Sequence, residues 1–107
     1  MIPIYEKAKN RDLTELNKLE EKLKELGIQY TRTDEEPNRA RIGMDWHQIV
    51  VEENGERKWD AVCHFGTYGS DEGLLELMIE HGDVYGCLTA EETIAIALGE
   101  KGDRHGE

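Results

Sequence analysis

Cysteine and proline are scarce in this chain: two of each in 107 residues. Cys63 and Cys87 stand at no metal-type spacing, so neither a disulfide framework nor a zinc ribbon is expected, and both read as buried thiols of an intracellular chain. Aromatic residues make up only 7%, with a single Phe. Positive charge is short as well, with 13 Lys and Arg against 24 Asp and Glu, for a net charge of -11. Such an acidic chain repels the nucleic-acid backbone and anionic membranes, so direct binding to either is not expected. No apolar stretch approaches the ~20 residues of a transmembrane helix. The opening Met1-Ile2-Pro3-Ile4-Tyr5-Glu6 carries neither a basic start nor a useful apolar run. No secretory signal is expected there, and the expected location is the cytoplasm.

What is present suffices for one α+β domain over residues 1–99, with 100–107 expected to be a disordered polar tail. A chain of this length buries roughly two-thirds of its unfolded surface, enough for a core without staples. Leu13, Leu16, Leu19, Leu23 and Leu26 recur at steps of three and four and predict a helix with one apolar face. Asp12 is its expected N-cap, Glu15 the capping-box partner and Gly27 the left-handed C-cap. Ile28 to Arg32 alternates and reads as a first strand. Asp34-Glu35-Glu36-Pro37-Asn38 reads as a loop, and Arg39 to Ile42 leads into a hairpin.

Two strand-like runs, Trp46 to Val51 and Lys58 to His64, flank Asn54-Gly55, a strong signal for that hairpin because both residues tolerate positive φ. Leu74, Leu75, Leu77, Met78 and Ile79 then read as a short helix ending near Gly82, and Asp83 to Gly86 as a loop. Thr89-Ala90-Glu91-Glu92 is a capping box opening a last helix that Gly99 closes. The expected architecture is a three-stranded antiparallel sheet, in the order helix-strand-strand-strand-helix-helix, with the helices packed on one face.

The hairpin holds both tryptophans, two histidines and Cys63, and its register decides which of them meet. A bare two-residue turn pairs Val51 with Lys58 and puts Asp45, His47, Asp60 and His64 on one side, opposite an apolar face of Trp46, Val50, Trp59, Ala61 and Cys63. A register shifted by one residue separates His47 from His64 and makes the apolar face Ile49, Val51, Trp59, Ala61 and Cys63, with His47 among them. Hydrophobic alternation leaves both open. In the first register, Asp45, His47, Asp60 and His64 suit a divalent metal or a carboxylate-oriented base. A small-ligand site there would use Trp46, His47, Asp60 and His64, with Tyr68 as a wall. Otherwise no cofactor is expected.

Other chemistry is weakly signalled. Gly66, Gly69 and Gly73 match no phosphate-binding fingerprint, and Asp71 and Glu72 stand where an anion would sit, so these glycines read as turn formers with Ser70 as an N-cap. Cys63 and His64 are strand neighbours that point to opposite faces, which excludes a dyad. Most acidic residues of the first helix are interleaved with lysines. Asp34, Glu35 and Glu36 are less balanced and are the expected contact for a basic protein partner.

The pattern Asp45-Trp46-His47-Gln48-Ile49-Val50-Val51, then Lys58-Trp59-Asp60-Ala61-Val62-Cys63-His64-Phe65-Gly66-Thr67-Tyr68-Gly69, then Glu72-Gly73-Leu74-Leu75-Glu76 and Leu88-Thr89-Ala90-Glu91-Glu92 resembles a group of short uncharacterised proteins encoded in phages and prophages of Firmicutes. The resemblance implies an intracellular phage accessory protein. No activity attaches to that group, so it assigns no functional residue. The element order also resembles double-stranded RNA-binding domains, but their basic face is missing here. The expected function is therefore a small acidic interaction module that binds a host or phage protein, one with a basic nucleic-acid surface. The alternatives are the small-ligand or metal site on the hairpin, and a homodimer formed through sheet edges.

Overall fold

The computed structural model describes residues 11–36, 44–64, 67, 70–80 and 82–99. In chain order these form helix α1 (Thr14–Leu26), strands β1 (Tyr30–Glu35), β2 (Trp46–Glu53) and β3 (Glu56–Val62), a 3₁₀ turn (Ser70–Glu72), strands β4 (Leu75–Ile79) and β5 (Val84–Leu88), and helix α2 (Ala90–Ala97). All five strands join one antiparallel sheet in sequence order. The α+β class holds, but the expected three-stranded sheet is corrected to five strands. Among the described residues no helix is long and apolar enough to cross a membrane. Tyr68 and the tail 100–107 lie outside the described residues.

The two added strands have a plain cause. Leu75 and Leu77 are fully buried, whereas Glu76 and Met78 lie on the opposite side, a period of two rather than 3.6. Gly73 (φ +75°) and Gly82 (φ +97°) bracket this run and leave too little chain for a useful helix. Ser70 accordingly opens a single 3₁₀ turn and does not cap a helix. Strand β5 carries one residue more than its partner, since Leu75 faces Leu88 while Leu77 faces Tyr85. That bulge places Cys87 at φ +58° and leaves it exposed, not buried as expected, and the irregularity hides the strand from a reading of alternation.

The hairpin combines the two registers. Asn54 (φ +55°) and Gly55 (φ +82°) make a two-residue turn, and Glu53–Glu56 and Glu52–Arg57 pair across it. A bulge follows, so Val51 faces Trp59 and not Lys58. The slip of one residue brings Ile49, Val51, Trp59, Ala61 and Cys63 to a single face, where all five are buried. The looped-out Lys58 lies near Glu56 and Glu80.

Leu16, Leu19 and Leu23 of α1 and Ala90 and Ile94 of α2 pack with that face and with Leu75, Leu77 and Leu88. The N-cap of α1 is Leu13, without a side-chain cap bond, and not the expected Asp12, which lies one residue earlier and accepts the Thr14 N–H (3.0 Å). Glu15 does not complete the expected box. Its carboxylate instead accepts the Ala90 N–H (2.8 Å) and ties α1 to the N-terminus of α2. The Thr89–Glu92 box of α2 is complete, and Gly27 ends α1 in the left-handed conformation.

Gly73 is where backbone and packing coincide, because a Cβ there would lie 2.8 Å from Asp12 Cγ. Gly73→Ala is expected to cost about 2–3 kcal/mol, from left-handed strain plus displacement of the Asp12 side chain from the Thr14 N–H. Urea unfolding checks this, and an unchanged midpoint would remove the argument.

Candidate functional site

The sheet sorts the expected site residues onto two faces. Strand pairing sets Asp34 opposite His47 on the helix-covered face, whereas Glu35 pairs with Trp46, and Val50 with Asp60, on the other. Asp45 and His47 are thus inside, and Trp46, Asp60 and His64 are outside. The four side chains of the expected metal site do not converge. Among the described residues no group of three or more His, Cys, Asp or Glu is placed to hold a metal ion.

The inner face carries a polar ladder at the β1 edge. Arg11 donates from Nε (2.8 Å) and Nη2 (3.0 Å) to the two oxygens of Asp45, and both side chains are buried. Asp45 Oδ2 lies 3.2 Å from His47 Nε2, and His47 Nδ1 lies 2.7 Å from Asp34 Oδ1. Arg32 donates from Nε and Nη2 to Asp34 and from Nη1 to Asn17 and Glu20, while the Tyr30 hydroxyl donates to Glu20 (2.7 Å). The ladder runs from residue 11 across β2 and β1 to α1. Its middle is closed to solvent, and it joins the elements together. Asp34, expected to face a partner, is engaged by Arg32 and His47, and Glu35 and Glu36 also have partners.

The ladder sets an acid limit on stability. Burial pushes the Asp34 carboxyl up, but the Arg32 guanidinium and the His47 ring outweigh it and hold it below the usual 3.8. The Tyr30 hydroxyl, opposed by burial and joined by Arg32, holds Glu20 below its usual 4.5. Groups depressed in the folded state contribute stability that is complete above their unfolded values and lost as pH falls through the folded ones. The urea midpoint is therefore expected to fall between about pH 5 and about pH 3, and less steeply in a Glu20→Gln/Asp34→Asn double variant. Equal slopes would remove these two carboxylates as the cause.

Nucleophilic chemistry finds no support at Cys63. Burial pushes its thiol up to about 11, and its Sγ points to the Asp12 carbonyl at 3.7 Å.

The outer face is different in kind. The Trp46 and His64 rings stack with centroids 4.4 Å apart and 16° between planes. Trp46 Nε1 donates to Gln48 Oε1 (3.3 Å), and Gln48 Nε2 donates to Asp60 Oδ2 (2.8 Å). An aromatic platform, a carboxamide and a carboxylate are thereby held in one line. Three of the expected ligand residues, Trp46, Asp60 and His64, come together here, while His47 does not. Gln48 is the member that sequence reasoning misses. Its signal is position, two residues after Trp46 on the same strand face. Arg11 leaves no such signal, because Asp45 is distant in sequence; Arg32 shares a strand face with Asp34, two residues on, but its other partners, Asn17 and Glu20, are distant. No protein-family model, curated protein or solved structure matches this chain.

Proposed function

We propose that this protein is a small acidic interaction module, a cytoplasmic accessory protein of a phage or other mobile element, that binds a host or phage protein through that protein's basic surface. The observation that carries the reading is the apolar character of the outer sheet face. Trp46, Met78 and Val84 are 39%, 45% and 46% exposed there, whereas the helices pack on the opposite face. Exposed apolar side chains gathered on one face with polar neighbours mark a protein contact better than single scattered ones do. The net charge of -11 selects a basic partner and speeds encounter with it. The same charge disfavours a nucleic-acid ligand.

Crosslinking mass spectrometry in a bacterial lysate tests the reading, with wild type set against a Met78→Lys/Val84→Lys variant. The expected result is a small set of basic proteins captured by wild type, lost at high salt and lost in the variant. The same abundant proteins captured by both forms would overturn it.

A further inference from the structure

We propose that Asp60 anchors a docking site on the outer face that receives an arginine side chain of the protein partner, an inference that rests on the interaction-module reading. Strand pairing sets Asp60 in the middle of a row that crosses all five strands: Thr31, Val50, Asp60, Met78, Val84. Its two direct neighbours, Val50 and Met78, are apolar and offer no donor. Asp60 is only 6% exposed. Gln48 satisfies Oδ2, but Oδ1 is buried and has no hydrogen-bond partner, the only such side-chain atom among the described residues.

A buried carboxylate oxygen without a donor destabilises a fold. A hydrophobic residue in the middle of this row would serve stability better. The position makes sense when a donor arrives from outside. Among the described residues no cation pairs with Asp60: Lys58 lies beside Glu56 and Glu80, Arg32 and Arg11 serve the inner ladder on the other face, and Arg57, three residues before Asp60 and opposite Glu52, makes no ion pair with it.

The surroundings select the donor. One carboxylate with a neutral carboxamide is too poor a set for a metal ion, which needs several ligands. An ammonium is a strongly hydrated point charge and gains little from a flat apolar face. A guanidinium is planar, less hydrated and able to stack on an aromatic ring while donating to a carboxylate. Trp46 supplies the ring, and the Gln48 bridge fixes its place relative to Asp60. Val84 and Met78 supply apolar surface for the arginine stem and adjacent partner residues. Met78, directly opposite Asp60 on β4, is the flexible side chain that yields to admit the group.

The test titrates an arginine-containing dodecapeptide into the whole protein. Controls are the same peptide with lysine or with citrulline at the arginine positions, and free arginine amide. Calorimetry reads affinity, and the Trp46 indole N–H resonance reports the site. Asp60→Asn and Asp60→Leu are the variants, each also read by thermal melting. The expected result is arginine peptide bound at least about tenfold tighter than either substituted peptide, with that preference lost in both variants. The melting temperature of the variants is expected to be equal or higher, an outcome that a structural role for Asp60 does not give.

Lower melting temperatures with unchanged arginine preference would overturn the site. Free arginine amide binding as tightly as the peptide would overturn it in favour of a small-molecule pocket. Equal, salt-sensitive binding of the arginine and lysine peptides by wild type and variants would overturn the Asp60 site while leaving the acidic module standing. Absence of any peptide binding, together with failure of the crosslinking contrast, would overturn both.

Discussion

Asp45→Asn is expected to lower the stability of this protein by about 3–5 kcal/mol, because it removes a carboxylate that pairs with a buried guanidinium. The Arg11 and Asp45 side chains are both withdrawn from solvent, and two hydrogen bonds of 2.8 and 3.0 Å join them. The amide keeps the size of the carboxylate but loses the charge, so the loss is electrostatic and not a matter of packing. The amide also leaves a single acceptor oxygen for the contacts of Arg11 and of His47 Nε2, 3.2 Å from the same carboxylate. For a small domain such a loss is a large part of the total. Removing both charges, in an Arg11→Met/Asp45→Leu variant, is expected to cost clearly less than the sum of Arg11→Met and Asp45→Leu measured singly. Urea unfolding of these four forms reads both effects. Additive costs would mean that the two side chains do not act as a pair.

The ladder also shows where the sequence is legible and where it is not. Local signals hold when their cause is local. Gly27 and the Thr89–Glu92 box end and start helices as their chemistry requires, and Asn54-Gly55 turns the hairpin. Glu15 departs from its expected role because a distant donor, the Ala90 N–H, competes for the same carboxylate and wins. The Leu75–Ile79 strand is mistaken for a helix because a short apolar run fits either period. Only the turns at Gly73 and Gly82 and the partner strands decide it. At the candidate site, the hairpin is visible in the sequence as the place where functional residues gather, yet the division of Asp45 and His47 from Asp60 and His64 is not. That division depends on one bulged residue, Lys58, and a bulge leaves no trace in composition or spacing.

The two tryptophans give that bulge its clearest consequence. Both lie on the hairpin, both are large, and a bare two-residue turn would put them on the same apolar face. With the bulge, Trp59 faces Val51 in the core, whereas Trp46 faces outward against His64. Trp59→Ala is therefore expected to cost about 3–5 kcal/mol, from lost burial and the cavity left behind. Trp46→Ala, which removes an exposed ring and one hydrogen bond, is expected to cost about 1 kcal/mol or less. Urea midpoints measure the contrast, and acrylamide quenching of the two single-tryptophan proteins (Trp46→Phe and Trp59→Phe) checks it independently, with Trp46 the more accessible. Comparable costs and comparable quenching would mean that the tryptophans share a face, and the division into inner ladder and outer docking face would fall with the register. If the contrast holds, Trp46 is a large aromatic side chain that the fold does not need. A residue of that size kept on a sheet face at little benefit to stability is best explained by what it contacts outside the chain.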